Sequence, residues 1–398
     1  MNTTLSQMPT VFLGGLSPAA FLHRHWQKAP LLIRQAIPEF ASPLSAEELA
    51  GLACEPEVES RLVLEHPGAE PPWSVRQGPF AAEDFAGLPA SHWTLLVQGV
   101  NKYLPAVADL LDGFDFVPGW RIDDVMISYA PAQGSVGPHV DQYDVFLLQG
   151  YGHRRWQIAG ASVHEAELIP DVPLRILRTF EPDQEWVLEP GDMLYLPPGV
   201  PHHGVALDDC MTFSVGFRAP AAAELVGLFY DEVAAGLREH ERYADPDLEV
   251  PAHPGQITPE ALAQVQDIIR REYLSRDATE RWFGRMITEP KLQEGLEPRE
   301  DTLTEAQFRA RVLAGGVLRR SEYGRFAYID RGTAGALLYV DGQEIALGPD
   351  AAPAAPLICD TRRFPPSLLA PCLDNAACLA VLTELYQRNA LYFEDEDE

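Results

Sequence analysis

The sequence contains few cysteines and no long apolar run. Its five cysteines are scattered, at positions 54, 210, 359, 372 and 378. No CxxC pair occurs, so the chain supports neither a disulfide framework nor a zinc ribbon. No apolar stretch approaches the length of a membrane span, and the start, "MNTTLSQMPTVFLGG", lacks a basic region followed by an apolar one. We therefore expect a cytoplasmic protein without a membrane partner.

Positive charge is also scarce. Lys and Arg total 30 against 59 Asp and Glu, which gives a net charge of −29. Binding to phosphates needs clustered Lys and Arg, and "RVLAGGVLRRSEYGR" is the only local basic cluster, so direct DNA binding is disfavoured. The acidic excess favours a basic partner, although solubility alone accounts for many acidic chains. The terminal "EDEDE" is expected to be a solvated, disordered tail.

The 398 residues divide into three regions that differ in the spacing of their apolar residues and turn signals, which favours two or three domains. From about 121 to 218, short β-rich runs are separated by Gly, Pro and Asp turn signals, a spacing typical of a sandwich or barrel. Before them, "NKYLPAVADLLDGF" predicts one helix. After Pro220, apolar residues recur at helical spacing. The last hundred residues read as helix, a hairpin turning at Asp341-Gly342, and helix, which suggests a winged-helix-like domain.

A histidine and an aspartate lie two residues apart in the β-rich region, within "GPHVDQYDVF". The pleat of a strand points His139 and Asp141 the same way, and burying a charge without a partner is costly. His202 follows about sixty residues later. Two imidazoles and one carboxylate form a facial triad with open coordination positions, as in non-heme Fe(II) oxygenases. The alternative is that the first two residues form a surface pair and His202 caps a loop.

An iron centre with open positions needs a co-substrate. A buried arginine in such a barrel needs an anionic partner, and a dicarboxylic acid provides one through a forked contact. 2-Oxoglutarate fits, because one end of it can chelate iron while its far carboxylate reaches the arginine. Arg154 and Arg155 are both candidates, and alternation with Trp156 does not decide which one points inward.

Two longer segments carry a family resemblance. "MISYAPAQGSVGPHVDQYDVFLLQGYGHRRWQIAG" and "LEPGDMLYLPPGVPHHGVALDDCMTFSVGFRAP" resemble the catalytic core of the bacterial JmjC-type ribosomal oxygenases. These are 2-oxoglutarate-dependent arginine hydroxylases of ribosomal protein L sixteen, in the large subunit. The resemblance extends to "HRHWQKAPLLIR" and, by architecture, to a dimerising helical region and a C-terminal winged helix.

The resemblance implies a role for each site residue. The residues that correspond to the family's Fe(II) ligands are His139, Asp141 and His202. The residue that corresponds to its 2-oxoglutarate-binding arginine is Arg154. His203 stands where the family has an acidic residue, so an exchange of roles between the two neighbouring histidines stays open.

A serine of the family, near the co-substrate, is replaced here by Ala130. Ser128 supplies the missing hydroxyl if its side chain faces the same way. It is therefore a second candidate for binding 2-oxoglutarate.

The substrate pocket follows from alternation along "RIDDVMISYA", which places Asp124, Met126 and Ser128 on one face. If that face lines the barrel, Asp124 accepts a substrate guanidinium and Met126 packs against its methylenes. Pairing of Asp124 with an internal arginine, such as Arg121, is an equal alternative. Tyr143 shares the face of the HxD pair and either walls the same cavity or belongs to the core.

The expected fold is α+β, with a JmjC/cupin-like double-stranded β-helix core. Its catalytic domain is expected over residues 1–220, with the β-core at about 121–218. A helical dimerisation region follows over 221–295, and a winged-helix-like domain with an acidic tail over 296–398. The apolar stripes of the helical region favour a symmetric homodimer, and burial against the chain's own barrel is the alternative.

The expected function is Fe(II)- and 2-oxoglutarate-dependent hydroxylation of an arginine in a basic protein of the large ribosomal subunit. Related JmjC-type enzymes hydroxylate histidine or asparagine, or demethylate lysine, and these activities are alternatives. A non-catalytic, cupin-like binding module is an alternative of another class.

Overall fold

A computed structural model describes residues 12–160, 168–170, 172, 174–237, 242–244, 257–273, 276–290 and 295–396. The chain divides between Ala219 and Pro220 into two compact units, each of which is described by itself. Within the described ranges, no helix is long and apolar enough to cross a membrane.

The first unit is mainly strand. Its strands are β1 (Leu31–Ile33), β2 (Ser60–Glu65), β3 (Trp73–Gln77), β4 (Trp93–Val97), β5 (Ile122–Ala130), β6 (Val145–Tyr151), β7 (Arg154–Ile158), β8 (Gln184–Leu188), β9 (Met193–Leu196), β10 (His202–Ala206) and β11 (Cys210–Phe217). Its helices are α1 (Pro18–Arg24), α2 (Ala46–Leu52), α3 (Ala82–Ala86), α4 (Val100–Tyr103) and α5 (Pro105–Ala108).

Local sequence explains where these helices begin and end. The Ser45 hydroxyl accepts a hydrogen bond from the backbone of Glu48 at 3.2 Å, and the Glu48 carboxylate accepts one in return from the Ser45 backbone, so a capping box starts α2. The single helix predicted over "NKYLPAVADLLDGF" is wrong, because the chain forms α4, α5 and a 3₁₀ turn there. Pro105 divides the segment, since proline disfavours helical geometry in the residue before it.

Two antiparallel sheets form the β-core. One has eight strands in the order β1-β9-β6-β11-β5-β4-β2-β3, and the other has three in the order β10-β7-β8. The chain passes from one sheet to the other between β6 and β7, between β8 and β9, and again on either side of β10. This repeated exchange between two facing sheets is the predicted double-stranded β-helix, which is confirmed.

Alternate side chains of the large sheet belong to two cores. Phe146 and Leu148 pack with the aromatic residues of the N-terminal helical layer, whereas Val145 and Leu147 pack with Trp156 of the small sheet. This is the period of two expected for a strand that is buried on both faces. Full burial of each such apolar side chain contributes about 1.5–3 kcal/mol, so both faces stabilise the β-core.

The second unit combines helices with two small sheets. Its helices are α6 (Ala222–Gly236), α7 (Pro259–Tyr273), α8 (Arg276–Thr288), α9 (Glu305–Leu313), α10 (Ala354–Asp360), α11 (Pro366–Leu373) and α12 (Ala376–Gln387). Its strands are β12 (Leu318–Arg320), β13 (Phe326–Asp330), β14 (Ala336–Val340), β15 (Gln343–Leu347), β16 (Arg363–Phe364) and β17 (Leu391–Phe393). They form sheets in the orders β16-β12-β17 and β13-β14-β15.

A two-residue turn joins β14 to β15 at the predicted position. Asp341 and Gly342 have φ angles of 48° and 74°, and Val340 pairs with Gln343 across the turn. Positive φ at both central residues is the geometry that favours an Asp-Gly pair in a hairpin. This hairpin and the helices α9, α11 and α12 surround one apolar core, and the predicted winged-helix-like architecture is confirmed.

The acidic C-terminus is ordered as far as Glu396, so the expectation of a solvated, disordered tail is wrong for residues 394–396. Glu394 accepts two hydrogen bonds from the Arg363 guanidinium, at 2.6 and 2.8 Å. The side chains of residues 394–396 form ion pairs with four arginines of the second unit, Arg299, Arg311, Arg319 and Arg363. The reason is that two arginines of the basic cluster, Arg311 and Arg319, and two from outside it face residues 394–396, which supply counter-charges.

Candidate metal centre and its cavity

Backbone pairing brings the two halves of the HxD…H pattern together. His139 lies before β6 and His202 begins β10, and each donates its backbone N–H to the carbonyl of the other at 3.0 Å. The carbonyl of Asp141 accepts a hydrogen bond from the backbone of Gly199 at 2.8 Å. These contacts fix the HxD segment against the turn that precedes His202.

The three side chains converge. Nε2 of His202 lies 3.6 Å from Oδ2 of Asp141, and Nε2 of His139 lies 3.9 Å from the same oxygen. One ligand atom from each residue fits within a separation of 4.8 Å. Nδ1 of His139 faces the Gly137 carbonyl at 3.0 Å, and Nδ1 of His202 faces the Val200 carbonyl at 2.9 Å. Because a carbonyl only accepts, each Nδ1 carries the proton and each Nε2 presents a lone pair towards Asp141.

The charge state of His202 suits a ligand. Burial, helped by the neighbouring His139 and opposed by Asp141, lowers the pKa of His202 to about 4. The imidazole of His202 is therefore neutral near pH 7, as a metal ligand must be. Two imidazoles and one carboxylate form a donor set that fits a divalent transition metal.

His203 points away from this cluster. Its Nε2 lies 3.0 Å from the hydroxyl of Ser135. Burial and the charge of Arg154 lower the pKa of His203 to about 4. Successive side chains of a strand point to opposite faces, so His202 alone of the two joins the His139–Asp141 pair.

A cavity of about 420 Å³ opens beside the cluster. That volume falls within the range of small-molecule sites. Most of the sequence-predicted site residues line it: His139, Asp141, His202, Arg154, Ser128, Met126 and Tyr143. The β-strands thus bring together residues that are separated by up to 76 positions in the chain.

Arg154 is buried against this cavity, with 3% of its surface exposed. Its Nη2 donates to the Gly204 carbonyl at 3.2 Å, whereas Nε and Nη1 have no hydrogen-bond partner among the described residues. Burial lowers the pKa of Arg154, but a guanidinium stays charged in proteins. An unsatisfied buried donor costs about 1–3 kcal/mol, so a bound anion with two oxygens would be stabilised here. Arg155, on the opposite face of β7, does not line the cavity.

Gly204 makes room for the guanidinium. A Cβ at this position would lie 2.7 Å from Nε of Arg154 and 2.7 Å from Cη2 of Trp156. The guanidinium carbon lies 5.2 Å from the Trp156 ring centre. The absence of a side chain at position 204 therefore sets where Arg154 lies.

Ser128 and Thr212 both line the cavity with Arg154, and their hydroxyl groups differ in whether they are already hydrogen-bonded within the protein. Thr212 pairs with Ser128 across β5 and β11 and donates its hydroxyl hydrogen to Oε1 of Gln149 at 3.1 Å. The hydroxyl of Ser128 makes no hydrogen bond within the described residues and faces the cavity. Ala130 packs against Ala206 and Cys210 and contributes no polar atom.

Asp124 lies beside the cavity and does not line it. Its Oδ2 accepts hydrogen bonds from Nε2 of Gln98 at 3.2 Å and from the backbone of Gly99 at 3.0 Å. Arg121, the arginine named as its alternative partner, instead pairs with Asp144 at 3.5 Å. A Cβ on Gly216 would lie 3.8 Å from Oδ1 of Asp124 and 4.0 Å from the Tyr143 ring, which places these two side chains near each other.

Sequence reasoning missed five polar residues that line the cavity: Arg61, Thr94, Arg175, Thr212 and Ser214. Thr212 and Ser214 alternate with apolar residues along "CMTFSVGF", and that pattern could have identified them. Arg61 and Arg175 carry no such signal, because their positions depend on β2 and on the segment before β8.

Comparison with known proteins gives two family matches. A JmjC domain matches residues 109–225, and a ROXA-like winged helix matches residues 263–392. These ranges fall on the β-core with the segments flanking it, and on most of the second unit.

The chain is similar to curated and solved proteins over nearly its whole length. It is 36% identical to the ribosomal protein uL16 3-hydroxylase of Escherichia coli K12, over 94% of this chain and 97% of that protein. It is 39% identical to a probable ribosomal oxygenase of Haemophilus influenzae, over 62% of this chain and 58% of that protein. The structure of the E. coli ribosomal oxygenase YcfD in complex with cobalt and 2-oxoglutarate superposes with a TM-score of 0.82, at 35% identity, over 95% of this chain and 98% of that one.

Proposed function

This chain belongs to the JmjC-type ribosomal oxygenases, and from that premise we propose that it hydroxylates an arginine side chain of a large-subunit ribosomal protein, with Fe(II) and 2-oxoglutarate. The single observation that carries the proposal is the convergence of two imidazoles and one carboxylate beside a buried arginine with unsatisfied donors. The uL16 hydroxylase among its relatives supports the class of substrate.

His139, Asp141 and His202 would hold Fe(II), through Nε2 of each histidine and Oδ2 of the aspartate. Arg154 would bind the far carboxylate of 2-oxoglutarate through Nε and Nη1, and Ser128 would donate its hydroxyl to the same molecule. When both groups are bound, the chemistry available is oxidative decarboxylation of 2-oxoglutarate by dioxygen, coupled to hydroxylation of a C–H bond. The protein's own task is to orient the co-substrate and the target side chain and to exclude bulk water.

Asp124, Met126 and Tyr143 would receive the target side chain. Met126 and Tyr143 line the cavity, and Asp124 lies beside Tyr143 with a carboxylate that can attract a guanidinium. Burial raises the pKa of Tyr143, and the carboxylates of Asp141 and Asp124 raise it further, so its hydroxyl stays protonated. Such a set offers an arginine a charge partner, an apolar wall and a hydroxyl oxygen that can accept a hydrogen bond from the guanidinium.

The proposal is tested by incubating the protein with purified ribosomal proteins, Fe(II), ascorbate and 2-oxoglutarate. Mass spectrometry should find one added oxygen on an arginine of a large-subunit protein, and succinate should form with it. Oxygen on histidine or asparagine would contradict the choice of residue, and loss of a lysine methyl group would contradict the choice of reaction. Absence of succinate would favour a binding module.

Replacing Asp124 by alanine is expected to raise KM for the protein substrate about tenfold to a hundredfold, because a partly buried charge pair with the substrate is worth about 1.5–3 kcal/mol. The KM for 2-oxoglutarate should stay within twofold, since Arg154 is untouched. Steady-state kinetics with each substrate varied in turn measures both. Asp123→Ala is the matched control, because it removes the same charge from the opposite face of β5. An unchanged KM for the protein substrate in Asp124→Ala would remove Asp124 from the pocket.

We propose that residues 221–295 form a dimerisation region, distinct from a catalytic domain over 1–220 and a winged-helix-like domain over 296–398. Apolar side chains on α6 and α7 are at least 42% exposed in the single chain: Val226, Leu228, Tyr230, Leu262, Val265 and Ile269. Two-fold pairing is the commonest way to cover such faces. A ribosomal substrate and five free cysteines support a cytoplasmic location.

The double variant Leu228→Glu/Phe229→Glu is expected to dissociate the dimer. Leu228 is exposed, so its change places charge on the face proposed for pairing. Phe229 lies 5.0 Å from the ring of Trp282 in the same chain, so its change also disturbs the packing of α6 against α8 behind that face. Light scattering should give twice the chain mass for the unmodified protein and the mass of one chain for the variant. Asp231→Lys/Glu232→Lys, a charge change on the same helix without loss of apolar surface, should stay dimeric. A concentration-independent single-chain mass for the unmodified protein would contradict the dimer.

A further inference from the structure

Two arginines of the cavity have no part in the assignments above. Arg61, on β2, and Arg175, before β8, line the same cavity as Arg154. Nε of Arg61 is buried and has no hydrogen-bond partner in the part of the chain that the structure describes. Neither arginine forms an ion pair with any residue that the structure describes.

Two arginines without a carboxylate partner in the described ranges line one cavity, in a chain where acidic residues outnumber basic ones 59 to 30. Many other arginines have such partners, as in the pair of Arg34 with Asp192 at 2.5 Å and that of Arg309 with Asp374 at 3.0 Å. Two cations left without partners at one cavity raise the local positive potential, and low-dielectric walls focus it. The cavity therefore attracts anions although the whole chain carries a charge of −29.

The three arginines form a gradient of burial. Arg175 is exposed, Arg61 is half-buried, and Arg154 has 3% of its surface exposed. An anion that reaches Arg154 from solvent would thus meet a cation at the surface, then one partway in, and then the innermost one.

We propose that Arg61 and Arg175 steer 2-oxoglutarate towards Arg154, raising its association rate without holding the bound molecule. The inference rests on the proposed function, which makes 2-oxoglutarate the ligand of Arg154. 2-Oxoglutarate carries two negative charges near pH 7, so the net charge of the protein repels it and a local positive path offsets that repulsion. A carboxylate on the protein substrate would be attracted by the same charges. The experiment must therefore distinguish it from 2-oxoglutarate as the anion that the two arginines attract.

Stopped-flow binding tests the proposal in the full chain, with Mn(II) in place of Fe(II) and without dioxygen, so that binding is measured without turnover. Trp156 lines the cavity near Arg154, and its fluorescence reports arrival of 2-oxoglutarate. In Arg61→Gln/Arg175→Gln the association rate should fall about tenfold at low ionic strength, with the dissociation rate within twofold. The difference should vanish near 1 M salt, where the Debye length is about 3 Å.

The matched control is Arg155→Gln/Arg178→Gln, which has the same net charge but changes arginines that do not line the cavity. Its association rate should equal that of the unmodified protein. Arg175→Gln alone changes an exposed residue, leaves the fold intact and should lower the rate about threefold.

Several results would overturn the proposal. An association rate unchanged in the double variant, or lowered equally in the control, would exclude local steering. A raised dissociation rate alone would show that the arginines hold the bound molecule. If the double variant bound 2-oxoglutarate unchanged but had a raised KM for the protein substrate, the two arginines would attract a carboxylate of that substrate and not 2-oxoglutarate. If the unmodified protein bound no 2-oxoglutarate, the proposed function would fail as well, and this outcome is distinct from the others.

Discussion

Alanine at His139, Asp141 or His202 is expected to abolish 2-oxoglutarate turnover and to lower affinity for Fe(II) by at least about a hundredfold. Each change removes one of three ligand atoms that converge within 4.8 Å, and no fourth His, Cys, Asp or Glu of the described chain joins that group. Succinate formation measures turnover, and titration with Mn(II) followed by electron paramagnetic resonance measures metal affinity. The fold should persist, because the apolar cores lie on the large sheet and its helical layer.

His203→Ala is the matched control for these variants. It removes an imidazole next in the chain to His202 whose Nε2 contacts Ser135 and not Asp141. We expect it to retain at least about a third of the turnover, since the three ligands are untouched. Loss of metal binding in His203→Ala, with retention in His202→Ala, would reverse the assignment of the two neighbours.

Arg154→Ala is expected to weaken 2-oxoglutarate binding by a factor of several hundred, while affinity for the metal stays within about threefold. Removal of one partner of a buried charge pair costs about 3–5 kcal/mol, which corresponds to at least a hundredfold in affinity. Arg154→Lys keeps the charge but loses the forked geometry, so it should recover only part of the affinity. Calorimetric titration of the Mn(II)-loaded protein with 2-oxoglutarate measures each variant.

Arg155→Ala controls for loss of an arginine on the same strand. Arg155 lies on the opposite face of β7, and the change should leave 2-oxoglutarate affinity unaltered. Equal affinity in Arg154→Ala and the unmodified protein would show that the unsatisfied donors of Arg154 do not serve the co-substrate.

Residues that obey a local rule were predictable from the sequence. The Asp341-Gly342 turn follows from the positive φ angles that a two-residue hairpin needs, and the β-core follows from the spacing of its turn signals. The HxD…H pattern predicted a metal site because its residue types are rarely buried together without a cation. Residue types alone left Arg154 and Arg155 undecided, and the resemblance and then the fold separated them.

Residues whose roles depend on distant segments were not predictable from the sequence. Arg61 reaches the cavity because β2 pairs with β4 in the large sheet, a contact that no local pattern encodes. The disorder predicted for residues 394–396 was wrong for the same reason. An acidic run favours a solvated tail unless distant arginines pair with it, and the sequence does not show those pairs. The pairing of Arg121 with Asp144 likewise joins residues that local alternation does not relate.

The ordered C-terminus has a practical consequence for handling the protein. A chain shortened after Phe393 would lose three carboxylates that pair with four arginines, of which Arg319 keeps its ion pair with Glu322, and would make this patch more cationic on an otherwise acidic molecule. Such a patch would retain nucleic acid during purification and could be mistaken for a binding site of the winged helix. Affinity tags are therefore better fused to the N-terminus, and isolated fragments of the second unit should keep residues 394–396.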